Sequence, residues 1–260
     1  YVAKVLGNKP ITLYATSEAA QFRDWCFEQG MSLNTVKRVF TAVRSIINLT
    51  MREYGIKGTN AFSGTFMPDK PDASPRQPIP NDILRIIQDR CQSTDDEMRW
   101  LVALISDTGM RLAEAVGLLT DDIKLDEEVP YIKLRQHPWR SLKTKGSERD
   151  IPLVGASLWA AKRIKSQNNQ FAFPGYTSIN RCAANSASAA LNKWLKPRVS
   201  SGCVVHSFRH SLRDRLRAVE CPPDIADAIG GWSSSGVGQK YGSGYSLAIQ
   251  HTYLNRMKGG

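Results

Sequence analysis

No stretch of this 260-residue chain stays apolar for the roughly 20 residues a helix needs to cross a bilayer. A helical membrane span is therefore excluded. The first residues lack the charged, apolar and small-residue zones of a secretory signal. The chain begins at Tyr1 rather than Met, so a preceding segment is expected. Cysteine is sparse and odd in number: Cys26, Cys91, Cys182, Cys203 and Cys221. None forms a C-x-x-C pair and none has a histidine at zinc spacing. This pattern excludes a disulfide scaffold and predicts reduced thiols that mostly fill core. No metal site and no cofactor are predicted. Acidic residues are in deficit, 24 against 35 Lys and Arg, giving a net charge of +11 and a pI near 9.6. A globular chain this basic points to a polyanionic partner, nucleic acid before membrane. Repeats are absent, and low complexity is confined to the serines at 233–235. The 42% of hydrophobic residues is enough for a core and excludes a disordered chain.

Proline is concentrated in one place. Residues 67–80, MPDKPDASPRQPIP, hold five prolines, which cannot be helix or central strand. This is the expected linker between a lobe over 1–66 and a lobe over 81–260. In the first lobe, Thr16 or Ser17 is expected to cap a helix ending near Gln29 and Gly30. Ser32 caps the next, whose apolar stripe runs through Val36, Val39, Phe40, Val43, Ile46, Ile47, Met51 and Tyr54. Lys37, Arg38, Arg44 and Arg52 lie opposite, either as a solvated face or as one that neutralises phosphates. In the second lobe, Asn81 is expected to cap a helix to Cys91 with Ile83, Ile86 and Ile87 inward. Thr94-x-x-Glu97 matches a capping box for a helix that ends at Thr108-Gly109. Arg111 then starts a new helix, where a cation opposes the helix dipole at a cost of up to about 1 kcal/mol. Glu114, one turn on, is expected to brace the local structure. Tyr131–Arg135 and Arg149–Leu153 read as strands of a hairpin carrying Lys143 and Lys145 near its tip. Helices are expected over 156–166, 186–195 and 246–257, with Leu191, Trp194 and Leu195 inward in the second. Lys193, Lys196 and Arg198 add basic surface.

The chemistry gathers between Val204 and Tyr245. His206 and Arg209 lie three apart on an expected helix start, with Ser207 a possible cap, so both can face one target. Pro222 and Pro223 break that helix, and a short helix follows to Gly230-Gly231. Trp232 offers an indole N–H and Tyr241 a phenol. Guanidinium grips phosphate oxygens with two parallel bonds, and nearby positive charge lowers the pKa of a phenol nucleophile.

The run Thr108-Gly109-Met110-Arg111-Leu112-Ala113-Glu114, continued to Leu118, Asp122 and Ile123, resembles the first signature of the tyrosine recombinases, the phage integrase family. His206-x-x-Arg209 resembles the second. Gly231-Trp232, followed nine positions after the tryptophan by Tyr241, resembles the third. The K-T-K-x-S-x-R-x-I-P-L pattern from Lys143 resembles the family's mobile lysine hairpin. Ser32 to Arg38 resembles part of its core-binding domain. The resemblance spans roughly residues 78–245 in the family's order.

The resemblance implies a mainly α fold with a small antiparallel sheet (α+β). A helical core-binding lobe at 1–66 and a catalytic lobe at 81–260 would form a two-lobed clamp on double-stranded DNA. It implies a site-specific recombinase encoded by a phage or other mobile element and working in the bacterial cytoplasm without cofactor or metal. Tyr241 would form a 3′-phosphotyrosine, and Arg111 and Arg209 would hold the non-bridging oxygens. His206 and Trp232 would serve beside them. Lys143 or Lys145 would protonate the leaving 5′-oxygen. Tryptophan at 232 departs from the more common histidine and donates a hydrogen bond without exchanging protons. Tyr245 and Tyr253 are rival nucleophiles on chemistry alone, and His210 reads as structural. The terminal helix would join protomers into a homo-tetramer on DNA, with DNA-bending accessory proteins as further partners. A type IB topoisomerase, or a DNA-binding protein of this fold that does not cut, are the alternatives.

Overall fold

The computed structural model describes residues 1–68, 76–142, 147–232 and 244–257. The chain divides into two units, Tyr1–Ser74 and Pro75–Gly260.

The first unit is built on two long amphipathic segments. After α1 (Val2–Leu6) and a 3-10 turn at Ile11–Leu13 come α2 (Thr16–Glu28) and α3 (Leu33–Glu53). Ser32 caps α3 as expected, its hydroxyl accepting the Thr35 N–H at 3.3 Å. The cap of α2 is Ala15 rather than Thr16 or Ser17. Glu18 Oε2 accepts the Ala15 N–H at 2.9 Å and replaces a hydroxyl cap. Phe22 of α2 meets Phe40 of α3 at 5.6 Å between ring centroids, and Phe62 closes the cluster. Two residues of the expected α3 stripe point outward: Ile46 is 64% and Tyr54 79% exposed. The buried row Val36, Phe40, Ile47 follows the 3.6-residue turn; Ile46 lies one step off it, and Tyr54 is the C-cap beyond the last helical residue.

In the second unit α4 (Asn81–Thr94), α5 (Glu97–Thr108) and α7 (Gly155–Ser166) pack around α5. Every residue of α5 from Trp100 to Thr108 is buried, in line with its apolar composition. The preceding helix departs from expectation in three ways. Pro80, not Asn81, is its N-cap; it runs on to Thr94; and its inward positions are Leu84, Ile87 and Cys91, while Ile86 is exposed. With Thr94 inside α4, the Thr94-x-x-Glu97 capping box does not form. Asp95 takes a left-handed conformation (φ 51°), which turns the chain and puts Asp96 at the cap, accepting the Arg99 N–H at 2.9 Å.

Asp107 at the end of α5 is a buried pin. It accepts from Gln88 of α4 at 3.0 Å, the Ala156 N–H of α7 at 2.9 Å and Arg215 at 2.9 Å. A carboxylate this saturated fixes three helices relative to the α5 C-terminus, where the site begins.

The hairpin forms as β2 (Tyr131–Leu134) and β3 (Arg149–Pro152), paired antiparallel with Ile132 opposite Ile151. Each strand stops one residue short of the expected end. The sheet has a third strand, β1 (Ile123–Lys124), and a separate two-stranded ribbon joins β4 (Thr177–Ser178) to β5 (Arg181–Cys182). Strands of two residues are too short for a period-2 signal. The unit also holds α8 (Ala184–Leu195), α9 (Ser207–Ala218), α10 (Pro223–Gly230) and α11 (Leu247–Arg256), besides the short α6 (Leu112–Val116) at the site. Trp194 of α8 packs against the core as expected and is half-buried. Arg99 and Arg198 lie over its ring at 5.2 and 4.5 Å. Leu254 of α11 and Met257 are buried with Leu212, Leu216, Ile225 and Ile229 of the same unit. The terminal helix thus packs Leu254 on its own unit, while Ile249 stays 44% exposed. The fold is mainly helical with a small antiparallel sheet, as expected. Among the described residues, no helix is long and apolar enough to cross a membrane, and no group of three His, Cys, Asp or Glu could hold a metal ion.

Candidate active site

The site is built where the end of α5, the start of α9 and the end of α10 meet. Gly109 follows α5 in a left-handed conformation (φ 58°). A Cβ there would stand 2.3 Å from Leu212 Cδ2 of α9, so this position needs glycine twice over. The turn frees the Gly109 carbonyl, which accepts from Arg209 Nη1 at 2.6 Å. It also sets Arg111 at the N-cap of α6 (Leu112–Val116). Glu114 Oε2 accepts the Arg111 backbone N–H at 2.9 Å, and Oε1 takes Arg111 Nη1 at 2.6 Å. Glu114 thus braces Arg111, as the sequence suggested, and offsets the cation at a helix start.

The same carboxylate holds a second arginine. Arg149 Nη2 lies 3.1 Å from Glu114 Oε2, its Nε donates to the Ile229 carbonyl at 3.0 Å and its Nη1 to the Ser147 carbonyl at 2.8 Å. Sequence reasoning assigned Arg149 only as a strand start. Its signal was its place in the lysine-hairpin pattern, but its burial was not visible there. Burial raises the pKa of Glu114. The Arg149 charge, and hydrogen bonds from Arg111 and Arg149, outweigh this and hold it below the usual carboxylate value.

Arg209 is buried and lies within the field of Arg111 and Arg149. Its pKa is pushed down to about 10, first by burial and then by those two charges, so it remains cationic at neutral pH. Three guanidiniums around one carboxylate leave an excess of positive charge, which an anion can neutralise. Arg111 Nη2 also reaches the Gly231 carbonyl at 3.4 Å. Gly231 (φ 61°) closes α10 in a left-handed turn, and a Cβ there would meet Arg149 Nη1 at 2.6 Å. Trp232 follows, with both Arg209 and Arg213 over its ring, 4.7 and 4.8 Å from the centroid.

His206 stands at the N-cap position of α9 and stays open to solvent. Ser207 does not cap the helix. It is its first residue, and its hydroxyl accepts the Val204 N–H at 3.1 Å. The pKa of His206 is pushed down to about 4, first by partial withdrawal of the ring from water and then by Arg76, His210, Arg209 and Arg111. The imidazole is therefore neutral at pH 7, with one nitrogen to donate and one to accept. His206, Arg209 and Trp232 line one groove of about 290 Å³ together with His210, Arg213 and Asp227.

The structure thus brings together Arg111, His206, Arg209 and Trp232. Lys143, Lys145 and Tyr241 lie outside the described residues. Tyr245 is engaged elsewhere: its hydroxyl donates to Asp224, which raises its pKa and makes it a poorer nucleophile. Tyr253 packs against the cluster of α9, α10 and α11, with Arg256 over its ring at 5.0 Å.

A sequence model described as the phage integrase family matches residues 79–245. The chain belongs to the phage integrase family. It is a site-specific DNA recombinase, an enzyme of strand breakage and rejoining. Solved integrases share its fold at low identity. The Tn1549 transposon integrase in complex with transposon right end DNA is 18% identical, covers 97% of this chain and 88% of its own, and superposes with a TM-score of 0.65. A lambda integrase dimer bound to a COC′ core site gives 16% identity, 94% and 70% coverage and a TM-score of 0.67. A lambda integrase tetramer bound to a Holliday junction gives 14%, 92% and 67%, and 0.63. No curated protein sequence matches this chain significantly.

Proposed function

We propose that this integrase cleaves DNA through Tyr241. The phenol oxygen attacks a phosphodiester in line and bonds to phosphorus, and the bond from phosphorus to the 5′-oxygen breaks. This leaves a 3′-phosphotyrosine. A proton from Lys143 or Lys145 completes the 5′-hydroxyl, and the tyrosyl proton leaves through His206 or water. A 5′-hydroxyl of another strand then reverses the step. Because the ester keeps the bond free energy, no nucleotide cofactor enters. Arg111 and Arg209 hold the non-bridging oxygens and stabilise the five-coordinate charge, and Trp232 donates its indole N–H there. The observation that carries this reading is the cationic cluster of Arg111, Arg149 and Arg209 around a single carboxylate, beside a neutral histidine. Among the described residues, Arg111 and Arg209 keep donors that no protein group takes up, and these suit the two oxygens of a phosphodiester.

The partner is double-stranded DNA. In this reading residues 1–66 are a core-binding lobe, 67–80 a linker and 81–260 the catalytic lobe, and the lobes clamp the duplex through basic faces. Copies assemble on DNA as a homo-tetramer through the terminal helix. Leu254 and Met257 are packed on the helix's own unit, and Ile249 is exposed on it, so protomers could be joined through that exposed side or by exchange of the helix. DNA-bending accessory proteins belong to the same proposal, as does action in a bacterial cytoplasm.

Covalent trapping tests the chemistry. Duplexes nicked near the cleavage point lose the leaving strand and hold the adduct. Wild type and Tyr245→Phe are expected to give a protein–DNA adduct on denaturing gels, and Tyr241→Phe none. An adduct that persists in Tyr241→Phe and vanishes in Tyr245→Phe overturns the assignment. Duplex binding with no adduct from any variant favours the non-cutting reading.

A further inference from the structure

Arg213 and Asp227 have no part in the chemistry above, yet they meet its least anchored member. Trp232 follows two glycines, and among the described residues its main chain makes one bond, its N–H to the Asp227 carbonyl at 3.1 Å. Gly230 leaves the ring room to fold back over α10: a Cβ at 230 would lie 1.9 Å from Trp232 Cζ3. The ring is then held by guanidiniums from α9. Arg209 and Arg213 are one turn apart, so they share a helix face. Both bring their guanidinium carbon within 5 Å of the ring centroid, at 4.7 and 4.8 Å. Arg209 is fixed by the Gly109 carbonyl. Arg213 is fixed by the side chain of Asp227, in an ion pair across to α10 that is largely shielded from water. Asp227 therefore holds Trp232 twice, by its carbonyl directly and by its carboxylate through Arg213.

We infer that Arg213, held by Asp227, is a positioning residue that sets the Trp232 indole for the reaction. The inference rests on the reading that Trp232 donates to the phosphate. With its guanidinium turned to the ring and to Asp227, Arg213 acts through the indole rather than on the phosphate. An arginine over the ring face also withdraws charge from it, which makes the indole N–H a better donor. Unlike a packing residue, this device depends on charge: a side chain of equal reach and no charge keeps the contact and loses the effect.

The experiment uses the full chain, nicked duplex substrates and six proteins: wild type, Arg213→Met, Arg213→Lys, Trp232→Phe, the Arg213→Met/Trp232→Phe double variant, and Asp227→Asn as a second way to release Arg213. Single-turnover adduct formation and DNA affinity are measured separately, and the Trp232 indole is followed by ¹⁵N NMR as the cross-peak lost in Trp232→Phe. Arg213→Met is expected to slow cleavage about tenfold, the scale of one desolvated cation–π contact. DNA affinity should stay within about twofold, and the Trp232 indole peak should shift while the other five tryptophans stay in place. In the Trp232→Phe background the same change should cost almost nothing more. Arg213→Lys should restore part of the rate. Effects that multiply in the double variant overturn the inference, as does Arg213→Met cleaving at the wild-type rate while Trp232→Phe is slow. A Trp232→Phe protein that cleaves at the wild-type rate instead overturns the reading of Trp232 itself. If Arg213→Met does not fold, Asp227→Asn must give the same rate loss and indole shift, or the inference fails.

Discussion

Replacing Glu114 with glutamine keeps the shape of the site and removes the one carboxylate that Arg111 and Arg149 share. The Glu114 side chain is 4% exposed, that of Arg149 7% and that of Arg111 27%. Arg111 can regain water; Arg149 cannot, and its charge would remain buried without a counter-ion. Removing one partner of a buried pair costs about 3–5 kcal/mol. Glutamine still offers one acceptor oxygen, so the expected loss is about 2–4 kcal/mol at pH 7, or about 5–15 °C in Tm for a unit of this size. Urea unfolding followed by far-UV circular dichroism reads this directly. Two controls separate it from a packing defect. First, adding Arg149→Met should restore about half of the stability, because the stranded charge goes with it. Second, the pH dependence should change in a defined way. The folded pKa of Glu114 lies below its ordinary 4.5, so its contribution is present above that pH and is lost as pH falls through the folded value. The gap between wild type and Glu114→Gln should therefore close below pH 4.5. A variant within about 0.5 kcal/mol of wild type at pH 7 refutes the account. So does a double variant whose loss equals the sum of the single losses.

Further outcomes follow from the same geometry. His206, with its pKa pushed down to about 4 in the free protein, should gain proton affinity when a phosphodiester enters between Arg111 and Arg209. Calorimetric titrations of DNA at pH 5.5 in buffers of different ionisation enthalpy should show uptake of up to about one proton, absent in His206→Ala. No uptake by wild type counts against His206 facing the phosphate. Gly109→Ala should lose about 1–3 kcal/mol from the left-handed strain and the Leu212 clash together. Adding Leu212→Ala should relieve no further strain at φ 58°, so full recovery in that pair would show that the backbone term is negligible.

The sequence determined a great deal here because its strongest features are local. Ser32 and Ser246 cap their helices through contacts only three residues long. The buried run of α5 is likewise set by its composition, and the β2–β3 pairing joins two short segments that alternate in the sequence. The signatures around Arg111, His206-x-x-Arg209 and Trp232 were legible as spacings, and the fold carries His206, Arg209 and Trp232 to one groove with Arg111 tied beside it to the Gly231 carbonyl. What the sequence left open are contacts between distant elements. The cap of α5 moved from Thr94 to Asp96 because α4 runs on through Thr94 and the chain turns at left-handed Asp95. Ile86 and Leu84 exchanged roles because the direction of the core, not periodicity alone, chooses the buried row. Arg149 joined the site because a strand 35 positions from Glu114 folds back beside it, and Arg213 reached Trp232 because α10 returns along α9. Glycines 109 and 231 show the division most clearly. Their need for a left-handed turn is written in the chain, but the side chains that forbid a Cβ, Leu212 and Arg149, are supplied only by tertiary packing. Short-range preferences depend on neighbours along the chain; charge clusters and close approaches depend on which surfaces the core brings together.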